Sequence, residues 1–200
     1  MLPSIASIPD FVWRDRAATS FGVPLLMFHW LTPDTFNSYL EWLRDEGYRS
    51  LTADEVASVA TGEVAAPRRA VALTFDDGVY NNWSVVAPLL RTHGFHGIAF
   101  VIPLLLTEGP VRPTLDDVHG SRVRLGEILD DEAAGRYMRW SEVEALSREG
   151  TLEIQSHTYD HARVFTAERV VVHYGRCKRS QPTVKASRSK ISVLVSLRNS

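Results

Sequence analysis

Two clusters of titratable side chains stand out in this 200-residue chain. Asp76 and Asp77 are adjacent, precede Gly78, and follow the apolar run Val71-Ala72-Leu73. His157 and His161, spaced H-x-x-x-H, follow a second apolar stretch that includes Leu152 and Ile154. Neighbouring carboxylates repel one another, and burying them unpaired is costly, so positive charge is expected among them. Asp77 with two imidazoles offers hard and borderline oxygen and nitrogen donors for a divalent ion such as zinc, with a position left over for water. The histidine spacing places both rings on one face of a helix, or lets a turn leaving a strand fold both towards one point. With Asp77 on the ion, Asp76 is free to take a proton from water as general base, and the chemistry implied is hydrolysis of an amide or ester. Gly78 allows the main chain to come close to such a site.

Each cluster also has an ordinary structural reading. Asp-Gly is common in turns, and a loop histidine is usually solvated. The metal reading therefore depends on the two clusters meeting in space. His29 divides evenly between a partly buried, backbone-bonded histidine and a substrate-pocket residue. His93, His96 and His119 are assigned no role. Trp83, Trp140 and Tyr159 could stack on sugar rings, although such aromatics are more often packing. Only Tyr159, inside the second cluster, is kept as a candidate substrate contact.

The elements that must position these groups alternate strand and helix, the pattern of an α/β domain with a mainly parallel sheet. Val23 to Phe28 predicts a buried strand with His29 at its end. Thr32-Pro33 predicts a helix start, with Phe36, Tyr39, Leu40 and Leu43 on one face and Gly47 as a stop. Thr52 and Glu55 form a capping-box pattern for a short second helix ending at Gly62. Ala70 to Phe75 predicts the strand that delivers Asp76 and Asp77. A helix through Val85, Val86, Leu89 and Leu90 to Gly94 follows, with Pro88 making it start late or kink. Gly97 to Ile102 predicts a third strand, residues 103–136 a long excursion with a short helix near Leu125 to Leu129, and Ser141 with Glu144 a capped helix ending at Gly150. Thr151 to Gln155 predicts the strand that runs into His157. In parallel α/β architectures the C-terminal strand ends lie on one face, so His29, Asp76, Asp77, His157 and His161 are expected to converge.

Composition bounds the rest. Hydrophobic residues make up 44% of the chain and charged residues 23%, enough for one compact domain with a substantial core. The first ten residues lack a basic n-region and carry prolines and Asp10, so no export signal is expected, and localisation stays open. The longest apolar run, Ile98 to Leu106, contains Pro103 and is too short to span a bilayer, so no membrane span is expected. A lone cysteine, Cys177, excludes an internal disulfide and a thiolate metal cluster built from one chain. All 24 acidic residues and 15 of the 22 basic ones precede residue 175, whereas residues 175–200 carry seven basic residues, no acid and all three lysines. That tail is either a basic, Ser-rich appendage or the product of a changed coding register. No nucleic-acid partner is expected.

Thr74-Phe75-Asp76-Asp77-Gly78 resembles the first motif of the polysaccharide deacetylases, the nodulation-protein-like carbohydrate esterases. Ser156-His157-Thr158-Tyr159-Asp160-His161 resembles their second. Val23 to His29, the helix after Pro33 and Gly47 to Thr52 resemble the opening of the branch acting on poly-β-1,6-N-acetylglucosamine. The resemblance implies a distorted (β/α) barrel, Asp76 as general base, Asp77, His157 and His161 as ligands of a divalent metal, Zn2+ foremost, and N-deacetylation of a glycan containing N-acetylglucosamine. Members of the family often work in the cell envelope or outside the cell.

The later family motifs, an Arg-x-Pro-aromatic, an acidic-Trp and a Leu-x-His carrying the general acid, are not found. The expectation is accordingly a barrel truncated or frame-altered on its C-terminal side: residues 1–19 an N-terminal extension, 20–172 a partial deacetylase domain, and 173–200 a basic, aberrant tail. Two other functions remain on the sequence alone, a non-catalytic fragment that binds metal or glycan, and an amidohydrolase of small amides.

Overall fold

The computed structural model describes residues 22–130 and 135–161. The expected N-terminal extension and basic tail lie outside the described residues. The order of elements is β1 (Leu25–Phe28), α1 (Pro33–Asp45), β2 (Arg49–Ser50), α2 (Ala53–Ala60), β3 (Ala70–Phe75), a π-helical turn (Asn82–Val86) running into α3 (Ala87–His93), β4 (Gly97–Val101), a 3-10 turn (Pro103–Leu105), α4 (Leu115–His119), α5 (Leu125–Leu129), α6 (Trp140–Glu149) and β5 (Leu152–Ser156). The strands form a five-stranded parallel sheet in the order β1-β3-β4-β5, with β2 pairing the start of β3.

Strand alternation gives this sheet two apolar faces. Val71, Leu73 and Phe75 of β3, Ala99 and Val101 of β4, and Leu152 and Ile154 of β5 pack under α1, α3 and α6, against Phe36, Leu40, Leu43, Leu90, Val143 and Leu146. Phe75 sits at the centre of this layer, stacked on Phe28 at 5.6 Å and edge-on to Phe36 at 5.7 Å. The opposite face carries Ala70, Ala72, Ile98 and Phe100, covered at its base by Val23, Leu51 and Ala53, Val56 and Ala57 of α2. A sheet apolar on both faces accounts for the near-continuous hydrophobic text of β3 and β4. Fully burying one such Leu or Phe contributes about 1.5–3 kcal/mol, so these layers fix the strand ends firmly.

Helix ends follow the sequence signals. The Thr32 side chain accepts from the Thr35 amide, with Pro33 in the first turn, and Thr52 with Glu55 forms the reciprocal capping box. Gly94 and Gly150 close α3 and α6 in the left-handed conformation. Pro88 is accommodated in the first turn of α3, directly after the π-helical turn. The expected cap of α6 by Ser141 and Glu144 is replaced. The helix begins at Trp140, the Glu142 carboxylate accepts from the Arg139 amide at 2.8 Å, and the Ser141 hydroxyl donates instead to the Gly109 carbonyl.

Glu142 is held in that position by Arg112. The guanidinium donates to both carboxylate oxygens, at 2.8 and 2.7 Å, and to the carbonyls of Gly135 and Tyr137. It also lies 3.8 Å from the centre of the Tyr80 ring, a cation–π contact. Burial drives the Tyr80 hydroxyl up to about 12, and it donates to the Pro113 carbonyl at 2.7 Å. This buried knot ties the long excursion between β4 and α6 to the segment that follows β3.

Candidate active site

The carboxylates leave the sheet one after the other in different environments. The Asp76 amide donates to the Phe28 carbonyl at 2.9 Å, which continues the β1–β3 ladder and leaves the residue 5% exposed. Asp77 then turns into the left-handed region at φ 70°, followed by Gly78 at 68°. The Gly78 carbonyl accepts from the Met138 amide, and Val79 bridges Tyr137. Side by side in sequence, the two aspartates thus face different surroundings.

At the end of β5 the chain is turned with equal firmness. The His157 amide donates to the Val101 carbonyl at 2.8 Å, and the Tyr159 carbonyl accepts from the Leu104 amide at 3.0 Å. Thr158 and His161 both adopt positive φ, 65° and 59°. Left-handed backbone at a residue other than glycine costs on the order of 1 kcal/mol or more, and such residues cluster at functional sites. Three of them, Asp77, Thr158 and His161, lie in these two turns.

The turns bring the distant clusters together. His157 Nε2 and His161 Nε2 lie 3.7 and 3.6 Å from Asp77 Oδ1, and the imidazole centres are 4.9 Å apart. One donor atom from each of these residues falls within 4.8 Å of the others. Asp76 Oδ2 is 4.0 Å from His157 Nε2. Asp77 Oδ1 is buried without a hydrogen-bond partner, the two imidazoles being beyond bonding distance. Zinc bonds of about 2.0–2.1 Å would hold two donors roughly 3.4 Å apart at a tetrahedral angle. The orphaned oxygen, the spacing and the oxygen-nitrogen donor set all fit a divalent ion.

Electrostatics separate the roles further. Burial raises the Asp76 carboxyl above the usual range, against the opposing pull of His157 and His29, while the Asp77 charge pushes the same way as burial. Burial also lowers the His157 imidazole, against the pull of Asp76. A neutral imidazole is the form that binds a metal, and a carboxyl raised towards neutrality is a better base. His29, exposed at the end of β1, is close enough for its charge to act on both Asp76 and His157.

The loop bearing His29 is fixed by a residue the sequence reading did not single out. Asn81 is fully buried and grips Leu31 from both sides: its Oδ1 accepts from the Leu31 amide and its Nδ2 donates to the Leu31 carbonyl, each at 3.0 Å. This fastens the β1–α1 loop to the segment just after Gly78. The Asn81-Asn82 pair following the acidic motif was the only signal, and nothing in it names a partner fifty residues away. Of the sequence candidates, Asp76, Asp77, His157 and His161 come together at the strand ends, His29 flanks them on the β1 side, and Tyr159 flanks them on the β5 side.

Comparison with known proteins bears on this arrangement. The sequence profile described as polysaccharide deacetylase matches residues 63–190. The chain belongs to the polysaccharide deacetylase family. Both motif turns of this deacetylase domain fall inside the matched stretch. The chain is 29% identical over 119 residues to the poly-beta-1,6-N-acetyl-D-glucosamine N-deacetylase of Escherichia coli K12, an alignment covering 60% of this chain and 16% of that protein. It therefore spans about one sixth of that relative's length. Among solved structures, the Streptococcus pyogenes deacetylase PplD in complex with acetate aligns at a TM-score of 0.57 with 18% identity, covering 86% of this chain and 77% of that one. IcaB from Ammonifex degensii aligns at 0.56 with 19% identity, covering 80% and 67%. These two likenesses establish the fold: the parallel α/β architecture described above is that of the deacetylases. Among the described residues no helix is long and apolar enough to cross a membrane.

Proposed function

We propose that this chain is a metal-dependent hydrolase that removes N-acetyl groups from a glycan containing N-acetylglucosamine. The observation that carries the reading is the meeting of Asp77, His157 and His161 around one buried, unpartnered carboxylate oxygen, with buried Asp76 beside them. The family membership and the activity for which the Escherichia coli relative is named, on poly-beta-1,6-N-acetyl-D-glucosamine, support the substrate class.

Asp77, His157 and His161 would hold the ion, with Zn2+ best suited to this donor set. A divalent ion there supplies Lewis-acid polarisation of the acyl carbonyl and acidifies nearby water. Asp76 takes the proton from the attacking water. Its burial favours the protonated form, so the carboxylate accepts a proton more readily than an exposed one. Collapse of the tetrahedral species then needs a proton on the departing amine. His29 is exposed at the end of β1, the strand that pairs with β3 ahead of Asp76. His29 and Tyr159 are assigned as substrate contacts, His29 on the β1 side and Tyr159 on the β5 side.

The test is acetate release from N-acetylglucosamine oligomers with added zinc, comparing the unaltered chain with Asp76→Asn, His29→Ala and His157→Ala. Equal acetate from all four sinks the proposal. Zinc calorimetry on the same proteins separates loss of metal, expected only for His157→Ala, from loss of proton transfer or of a substrate contact.

A further inference from the structure

The loop between β1 and α1 carries an aromatic side chain that the chemistry above leaves unused. Trp30 immediately follows His29, is 38% exposed, and has no hydrogen-bond or ring partner among the described residues. A single exposed tryptophan on a loop would call for no explanation. Trp30 differs because its loop is fixed on both sides. Before it, the Phe28 carbonyl accepts from the Asp76 amide; after it, Leu31 is buried and gripped through both main-chain groups by Asn81. Thr32 then starts α1 as its cap. A loop fixed this way loses little main-chain freedom when a ligand covers it.

The strand order gives the platform its place. The carboxylates stand at the end of β3 and the histidines at the end of β5, with β4 between them. β1 lies on the other side of β3, so His29 and Trp30 flank the cluster on one side while Leu104, 55% exposed, and Tyr159 flank it on the other. Strands about 4.8 Å apart make this rim wider than a single sugar ring. The weakly polar C–H face of a pyranose matches an indole face, as apolar bodies with polar edges match aromatics elsewhere.

We propose that Trp30 is a stacking platform for a pyranose ring adjoining the residue that undergoes deacetylation. This rests on the glycan reading given above. The remaining aromatics are less suited: the Trp83 indole is committed to the Arg112 carbonyl, and Trp140 is packed against the core.

The experiment measures binding of β-1,6-linked N-acetylglucosamine oligomers to the full chain with zinc, by calorimetry, in an Asp76→Asn background that prevents turnover. Trp30→Ala is expected to weaken binding about tenfold, as for a partly exposed aromatic anchor. Trp30→Phe should retain most of the affinity, and both variants should keep the parent's zinc affinity and melting temperature. Oligomer affinity unchanged in Trp30→Ala overturns the platform, as does a parent that binds no oligomer. So does an equal loss in both variants accompanied by weakened zinc binding, which would mark Trp30 as structural. The deacetylase reading fails separately, through absence of acetate release by the unaltered chain. Trp30-dependent oligomer binding without acetate release would leave the platform standing and remove the catalytic role.

Discussion

Gly78 sets its bare α-carbon against Val101. A β-carbon built there would lie 3.1 Å from both Cβ and Cγ1 of Val101 and 3.3 Å from its Cα, at a φ of 68° that side chains seldom adopt. The close approach lets the end of β3 fold over β4 towards the histidine turn. Gly78→Ala should therefore destabilise the fold by about 2 kcal/mol or more, through backbone strain and the clash together. Denaturant unfolding would measure this, and zinc affinity should fall with it. A neutral Gly78→Ala would show that the turn has room to relax.

Asp76→Asn keeps the shape of the side chain and removes its basicity. Acetate release should drop by roughly 10²–10⁴-fold, the usual contribution of a positioned base, while the zinc dissociation constant changes little. A parallel loss of metal would instead put Asp76 among the ligands.

The Arg112–Glu142 pair is almost fully enclosed, with side-chain exposures of 8% and 0%. Removing one member leaves the other charge buried and unmatched, at a cost of about 3–5 kcal/mol. Glu142→Ala should show that loss in thermal or chemical denaturation. Because Tyr137 and Met138 pair with Val79 and Gly78, weaker zinc binding should accompany it. Wild-type stability in Glu142→Ala would refute the structural role of the knot.

His93 predicts how stability responds to acid. Arg44 can only donate, so its approach at 3.4 Å makes His93 Nδ1 the acceptor, and Nε2–H donates to Asn37 Oδ1 at 2.8 Å. Asn37 in turn donates to Glu41. The network requires neutral imidazole, and burial with the neighbouring Arg44 charge lowers the ring below its ordinary value of 6.5. The folded state therefore disfavours the proton. The contribution is complete above about pH 6.5 and is lost as pH falls through the lowered value. Unfolding free energy should decline across that window, and His93→Gln should flatten the decline. An identical pH profile in the variant would rule His93 out as its source.

Much of this architecture is legible in residue order because local signals and buried patterning agree. Ala70 to Phe75 reads as a strand and is one, since both of its faces are covered and every residue is buried. Pro88 announces an irregular helix start, and the backbone answers with a π-helical turn. β2 is not legible in the sequence because two residues, Arg49 and Ser50, carry no periodicity; their pairing with Ala70 and Val71 is set by the sheet. The cap of α6 departs from the Ser141–Glu144 pattern because Glu142 is claimed by Arg112, thirty positions earlier. In the candidate site, the grouping of Asp76, Asp77, His157 and His161 at strand ends is legible in the sequence. The Asn81–Leu31 clasp and the pinned Trp30 could not, because both depend on contacts between segments that only the folded sheet brings together.

Asp77 and His157 are separated by about eighty residues of chain, and β4 runs between their strands. An ion shared by them would act as a reversible crosslink over the sheet. A covalent tie closing a loop of that length is worth on the order of 4 kcal/mol in the chain-entropy view. Chelation should then release β5 and its turn before the β1–β3–β4 body, so that metal loss loosens the sheet at one margin while leaving its centre intact.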